Sequence, residues 1–169
     1  LQVGNYWIYD WYSFLAPGEG EEFFLRDTLE VTGMETIAGK SYFRLERSPS
    51  LATREVVYWR DSLGYLVDEQ GAIYFAPTRP GAIFNRKELS YFSVESSIAG
   101  DTSNVEVPAG EFSCLVKKSD FLFTEEEQMD LNKSGYDYLS LGVGEVKGTR
   151  LFANHPNYYE YRLVEFSLQ

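Results

Sequence analysis

Val105–Lys118, VEVPAGEFSCLVKK, reads as two β-strands folded back over a tight Pro-Ala-Gly turn. Pro108 suits the second position of a turn because its ring presets φ, and Gly110 suits the exit. Beyond the turn Phe112, Cys114 and Val116 share one face, with Leu115 and Lys117 on the other. That period of two belongs to a sheet. The hairpin is answered further along by Leu141–Gly148, LGVGEVKG. Its Gly-Val-Gly predicts a bulge or sharp bend between strands Tyr136–Leu141 and Glu145–Phe152.

The same pattern runs outward in both directions. Asn5–Leu15, NYWIYDWYSFL, is an aromatic opening strand bounded by Ala16-Pro17-Gly18, and Phe23–Thr32 is a second strand. Gly33 and Ala38-Gly39 punctuate the way into Ser41–Arg47, which Pro49 ends. There Phe43 and Leu45 alternate with Arg44 and Glu46, as on a sheet with one wet face. Glu55–Arg60 and Gly64–Asp68 form a hairpin around Asp61-Ser62-Leu63-Gly64. Ala72–Ala76 and Leu89–Glu95 are shorter strands, separated by a loop with Pro77, Pro80 and Gly81. Glu125–Asp130 is the one short helix the pattern allows, and Tyr158–Leu168 is a last strand expected to pair near the first. Short strands divided by Gly and Pro, with no sustained helical period, predict an all-β fold. The expectation is one antiparallel curved-sheet domain over residues 1–169, a half-barrel, barrel or sandwich with at most one or two short helices.

Composition agrees. The 169 residues are 44% apolar and include 13 Tyr, 12 Phe and 3 Trp, side chains suited to a half-buried pleated surface. Twenty-six acids against 15 bases give a net charge of −11. Gripping nucleic acid takes Lys and Arg that neutralise phosphates, so this balance argues against it and against an anionic membrane face. Cys114 is the sole cysteine, so no disulfide forms within the chain. No apolar run is long enough for a membrane-spanning helix.

Four phrases carry a resemblance: Leu1–Tyr9 (LQVGNYWIY), Val31–Leu45 (VTGMETIAGKSYFRL), VPAGEFSC and GVGEVKG. Together they resemble a loose family of uncharacterised envelope lipoproteins, secreted proteins common in Bacteroidetes-like bacteria. The resemblance implies an exported chain of the periplasm or the outer-membrane surface. It also implies a lipid anchor at an N-terminal cysteine that this sequence does not contain, and membrane association only through that anchor. The phrases are turns and core positions, so they transfer no catalytic residue.

Candidate chemistry is sparse. Cys114 would need a base to act as a nucleophile, and the one histidine, His155, sits in an Asn-His-Pro-Asn loop. A cysteine alternating with Phe and Val on a strand reads more plainly as a small core residue. One histidine alone cannot supply the usual zinc set. Asp130–Gly135, DLNKSG, matches the start of a calcium loop, with Asp130, Asn132 and Ser134 as oxygen donors and Tyr136 offering its carbonyl. Leu141, however, falls where the bidentate Glu belongs, and a Ser-Gly turn on an acidic loop is the plainer reading. Apart from calcium at this loop, no cofactor is expected.

The aromatics Trp7, Tyr9, Trp11, Trp59 and Tyr74 are the candidate ligand-binding residues, able to line a groove for a glycan or an apolar molecule. On alternating strands most such rings should be core instead. The favoured expectation is a non-enzymatic exported envelope protein that binds an apolar or glycan ligand or a partner protein. A structural or assembly subunit of the envelope is the first alternative. A hydrolase with unidentified acidic residues is the second.

Overall fold

Strands pair with their neighbours in sequence almost throughout, and the first and last strands of the chain meet in the middle of the sheet. The computed structural model describes residues 1–15, 20–49, 55–100, 102–124, 131–152 and 155–169. The strands are β1 (Tyr6–Phe14), β2 (Glu22–Ile37), β3 (Lys40–Pro49), β4 (Glu55–Ser62), β5 (Tyr65–Asp68), β6 (Ile73–Phe75) and β7 (Ile83–Glu88). There follow β8 (Phe92–Ile98), β9 (Ser103–Val107), β10 (Gly110–Phe123), β11 (Lys133–Ser140), β12 (Gly144–Leu151) and β13 (Tyr158–Ser167). The antiparallel path is β6-β5-β4-β3-β2-β1-β13-β12-β11-β10-β8-β7, with β9 paired off it against β10. Its end strands, β6 and β7, approach each other, so the sheet curls into a nearly closed barrel. No α-helix occurs among the described residues.

Sequence explains the turns. At Ala38-Gly39 and Leu63-Gly64 both central residues have positive φ (49° and 75°, 58° and 84°). That is the mirror-image turn whose twist matches a two-residue hairpin. The predicted hairpin over Pro108-Ala109 forms as read, with Gly110 opposite Val107 and Phe112 opposite Val105. Tyr158–Ser167 pairs along the whole of β1, as expected of the last strand.

Several expectations need correction. Gly33 does not end the second strand: the β2–β3 ladder steps over Thr32 as a bulge, Gly33 pairs with Arg44, and β2 continues to Ile37. Strand β7 was not legible, because NRKE offers no apolar alternation. Leu89–Tyr91 are turn residues, so β8 begins at Phe92. The Gly-Val-Gly, by contrast, makes the bend expected of it: it is the β11–β12 turn, with Gly142 and Gly144 at positive φ, and a bulge follows where Tyr138 and Leu139 face Lys147 and Glu145. The expected helix at Glu125–Asp130 lies outside the described residues.

The barrel interior has two unlike ends. At the end holding the β11–β12 turn, Trp7, Val31, Leu45, Val146 and Leu163 are buried together. The β9–β10 hairpin packs on β12 and β13 there, adding Val105, Val107 and Cys114 to the same cluster, and the Ala109 N–H donates to the Leu163 carbonyl at 3.1 Å. Each fully buried aliphatic side chain contributes roughly 1.5–3 kcal/mol. At the other end, formed by the start of β2 and the close of β3 and β12, the inward positions carry charge.

Candidate functional site

The charged end of the barrel holds a cavity of about 380 Å³. Its aromatic wall is Trp59 on β4 stacked on Tyr74 of β6, ring centroids 4.6 Å apart, with Trp11 of β1 across the space. Polar groups converge on the same space: Arg47, Glu55, Asp68, Asn85 and Arg150. Period two places them there, since Arg47 lies opposite Leu29 and Glu55, and Trp59 opposite Phe43 and Asp68.

The two arginines are held by buried carboxylates. Arg47 donates to Asp27 Oδ2 at 2.7 Å and lies over the rings of Tyr9 and Trp11, 5.7 and 5.8 Å from their centroids. Arg150 donates to Asp137 Oδ1 at 2.8 Å and to the Tyr161 hydroxyl at 3.2 Å. Lys117 Nζ sits 3.3 Å from the other Asp137 oxygen and 4.0 Å from the centre of the Tyr74 ring. Burial opposes ionisation of Asp137, but Arg150 and Lys117 outweigh it and hold its carboxyl below the usual range. Burial, reinforced by Glu145 and Asp137, pushes the Tyr74 hydroxyl well above the ordinary tyrosine value, so it serves as a donor, and it donates to the Glu145 carboxylate. Gly148 permits this cluster: a Cβ there would collide with the Tyr161 hydroxyl and the Asp137 carboxylate.

Tyr74 is the partition of the interior. It lines the main cavity, a second of about 290 Å³ walled by Lys117, Ser119, Asp137 and Arg150, and an apolar one of about 70 Å³. The five aromatics singled out in the sequence all line these spaces. Trp11, Trp59 and Tyr74 face the main cavity, while Trp7 and Tyr9 are core residues at the edge of the small one. Their polar atoms are used internally: Trp7 Nε1 donates to the Val143 carbonyl at 2.6 Å and the Tyr9 hydroxyl to the Glu145 carbonyl at 3.0 Å.

Sequence reasoning missed Arg47, Lys117, Asp137, Glu145 and Arg150. Charged residues at the inward parity were the available signal, but a charged position on a strand ordinarily faces water. Cys114 is fully buried in the apolar cluster, its thiol raised by burial, whereas His155 lies in the loop before β13 and accepts from the Asn157 N–H. Of the calcium quartet, Asp130 lies outside the described residues. Asn132 accepts from the Phe123 N–H at 2.8 Å, Ser134 donates to Asp120 at 2.5 Å, and Ser134 and Tyr136 sit within strand β11. Among the described residues, no three His, Cys, Asp or Glu side chains gather as a metal site would require.

The fold and site thus define a nearly closed, antiparallel β-barrel with a charged and aromatic interior. Similar barrels are known. The chain superposes on a protein from Bacteroides fragilis, inferred to be exported and described as having a YmcC-like fold, with a TM-score of 0.64 and 13% identity over 99% of this chain and 97% of that one. It also superposes on a protein from Parabacteroides distasonis, inferred to be a lipoprotein, with a TM-score of 0.62 and 14% identity over 98% and 96% of the two chains. At such identity the likeness shows the fold alone. Both organisms belong to the bacterial group to which the sequence phrases pointed. No family model matches the chain, and no curated protein matches it.

Proposed function

We propose that this protein is an exported, non-enzymatic binding module of the bacterial cell envelope whose barrel holds a sugar ring. The observation that carries the reading is the main cavity, where the Trp59–Tyr74 stack and Trp11 share the lining with a set of planar polar groups. A sugar has C–H faces that lie on aromatic rings and a belt of hydroxyls that seek donors and acceptors together. Arg47, Glu55, Asp68, Asn85 and Arg150 offer both. An acyl chain in the same space would desolvate two guanidinium groups without replacing their hydrogen bonds, at a cost of several kcal/mol. The volume of about 380 Å³ lies within the range of small-ligand pockets.

Binding fits the interior better than hydrolysis does. A glycosidase needs a carboxylic acid held protonated near neutral pH. Asp137, in the interior, is shifted the opposite way and kept ionised by two cations. Export and a lipid anchor rest on the phrases shared with envelope lipoproteins and on the two superposed structures. The net charge of −11 supports a partner other than nucleic acid.

Trp11 and Trp59 make the test direct. Titration with methyl glycosides of glucose, galactose, mannose and N-acetylglucosamine should change tryptophan fluorescence saturably for at least one sugar. Trp59→Ala should abolish that response while the circular dichroism of the sheet persists. A flat response to every sugar, with no heat in calorimetry, would remove the reading. The lipid anchor is tested separately, by labelling the full-length protein in its own organism with an alkyne fatty acid; an unlabelled product recovered in soluble fractions would refute it.

A further inference from the structure

Above the cavity, at the same mouth of the barrel, lies an aromatic ledge that the saccharide reading does not use. Phe24 stacks on Tyr159 with centroids 4.7 Å apart, and Phe152 meets Tyr159 edge-on at 5.3 Å. A bulge creates it. Trp11 pairs with Leu25 but Tyr12 pairs with Phe23, so Phe24 is the extra residue and is re-aimed toward Tyr159. Tyr159 lies two residues before the inward Tyr161 and directly opposite Arg150, which lines the cavity. Ledge and cavity are therefore adjacent, joined by the Arg150–Tyr159 pair of β12 and β13.

The ledge is both exposed and held in place. Phe24 and Phe152 each keep 43% of their surface open, and through Tyr159 they form one contiguous aromatic patch rather than scattered exposed rings. The Lys133 ammonium donates to the carbonyls of Phe152 and His155. Two of the three rings are phenylalanine, which presents carbon alone. A sugar ring there would find stacking but few partners for its hydroxyls, whereas a hydrocarbon chain needs none. Polarity thus runs from charge inside the barrel to carbon at its rim.

We propose that cavity and ledge form one elongated site for an amphiphilic glycoside, with its sugar headgroup inside the barrel and its apolar tail laid over Phe24, Tyr159 and Phe152. This rests on the saccharide reading and adds the ligand class and its orientation. The orientation is the reverse of a carrier that buries the tail and leaves the head in water.

Calorimetry with methyl and octyl glycosides of the same sugar, below the micelle threshold, tests it. The octyl glycoside should bind at least tenfold tighter than the methyl glycoside. In a Phe24→Ser, Phe152→Ser double variant, with its melting temperature checked, the ratio of the two affinities should fall toward one. Trp59→Ala should lose both ligands. Equal affinities for the two glycosides in the natural protein would overturn the proposal while leaving the saccharide reading intact. A gain from a trisaccharide with none from the octyl chain would overturn it in favour of an oligosaccharide. A tenfold gain that survives the double variant would overturn the ledge as the tail site. No binding of either glycoside would remove both readings together.

Discussion

The two ends of the barrel are built from the same strands and solve opposite problems. Near the β11–β12 turn, Trp7, Val31, Leu45, Val146 and Leu163 fill the interior, and the β9–β10 hairpin adds its own apolar face. Near the other mouth the same inward parity carries Arg47 with Asp27 and Lys117 with Asp137 and Arg150, around open space. The apolar end gains stability through burial. The charged end gains little net stability, since desolvating buried ions roughly cancels their attraction. Its ion pairs instead hold planar groups rigid around a cavity. Stability and site are therefore spatially divided, and the division can be attacked from either side.

Gly148 joins the two regimes, so Gly148→Ala should do the greatest damage. Its methyl group would strike the Tyr161 hydroxyl and the Asp137 carboxylate at once. A loss on the order of 4 kcal/mol is expected, seen as little soluble protein or as a deeply lowered unfolding midpoint in urea. Wild-type behaviour would mean that Tyr161 and Asp137 can move aside at Gly148.

Asp137→Asn should follow, at about 3–4 kcal/mol, because it leaves Lys117 and Arg150 buried without their shared anion. It also carries a pH signature. The Asp137 carboxyl is held below its unfolded value, so the native state binds fewer protons there. Its contribution is fully present above the ordinary aspartate range near about 4 and fades as pH falls through the lower folded value. Stability measured from neutral pH into acid should decline less steeply in Asp137→Asn than in the natural protein. Parallel profiles would separate Asp137 from acid unfolding.

Leu45→Ala, at the apolar end, should cost roughly 3 kcal/mol and lower the melting temperature by about 6–12 °C, with no such pH signature. A loss confined to low pH would break the division. Cys114→Ala should cost only about 1 kcal/mol, as the removal of one small buried group. Because burial raises the Cys114 thiol, a disulfide reagent should leave it unmodified until denaturant is added. Rapid native labelling would show the apolar end to be open. Smallest of all, Leu63→Asn should change stability by less than about 0.5 kcal/mol: Leu63 is 95% exposed at φ 58°, a backbone region asparagine tolerates better than leucine. A large loss would reveal an apolar contact at that turn.

How legible was all this in the chain? The hairpin over Pro108-Ala109, the closing position of the last strand and the five interior aromatics follow from period two and turn chemistry, which are local. Strand β7 stayed hidden because IFNRKE has no alternation of its own and takes its conformation from pairing with β8. Lys117 shows the limit most clearly. It lies on the face of β10 opposite Cys114, where one would expect water. Yet it is as buried as a core residue, because that face is the inner wall of the barrel. Period two says which residues of β10 share a face, but only the closure of the sheet decides that this face is interior.

The sequence alone determined that the chain is all β, acidic, hairpin-connected and rich in rings at alternating positions. Those properties depend on neighbours one to four residues apart, where steric and turn preferences act. Tertiary structure alone decided that β6 would approach β7 to close the sheet and that Arg47, Asp137 and Arg150 would share one interior. It also decided that Phe24 would turn onto Tyr159 at the mouth. Such meetings join residues up to a chain's length apart, and they are fixed by register and curvature, which no local stretch encodes.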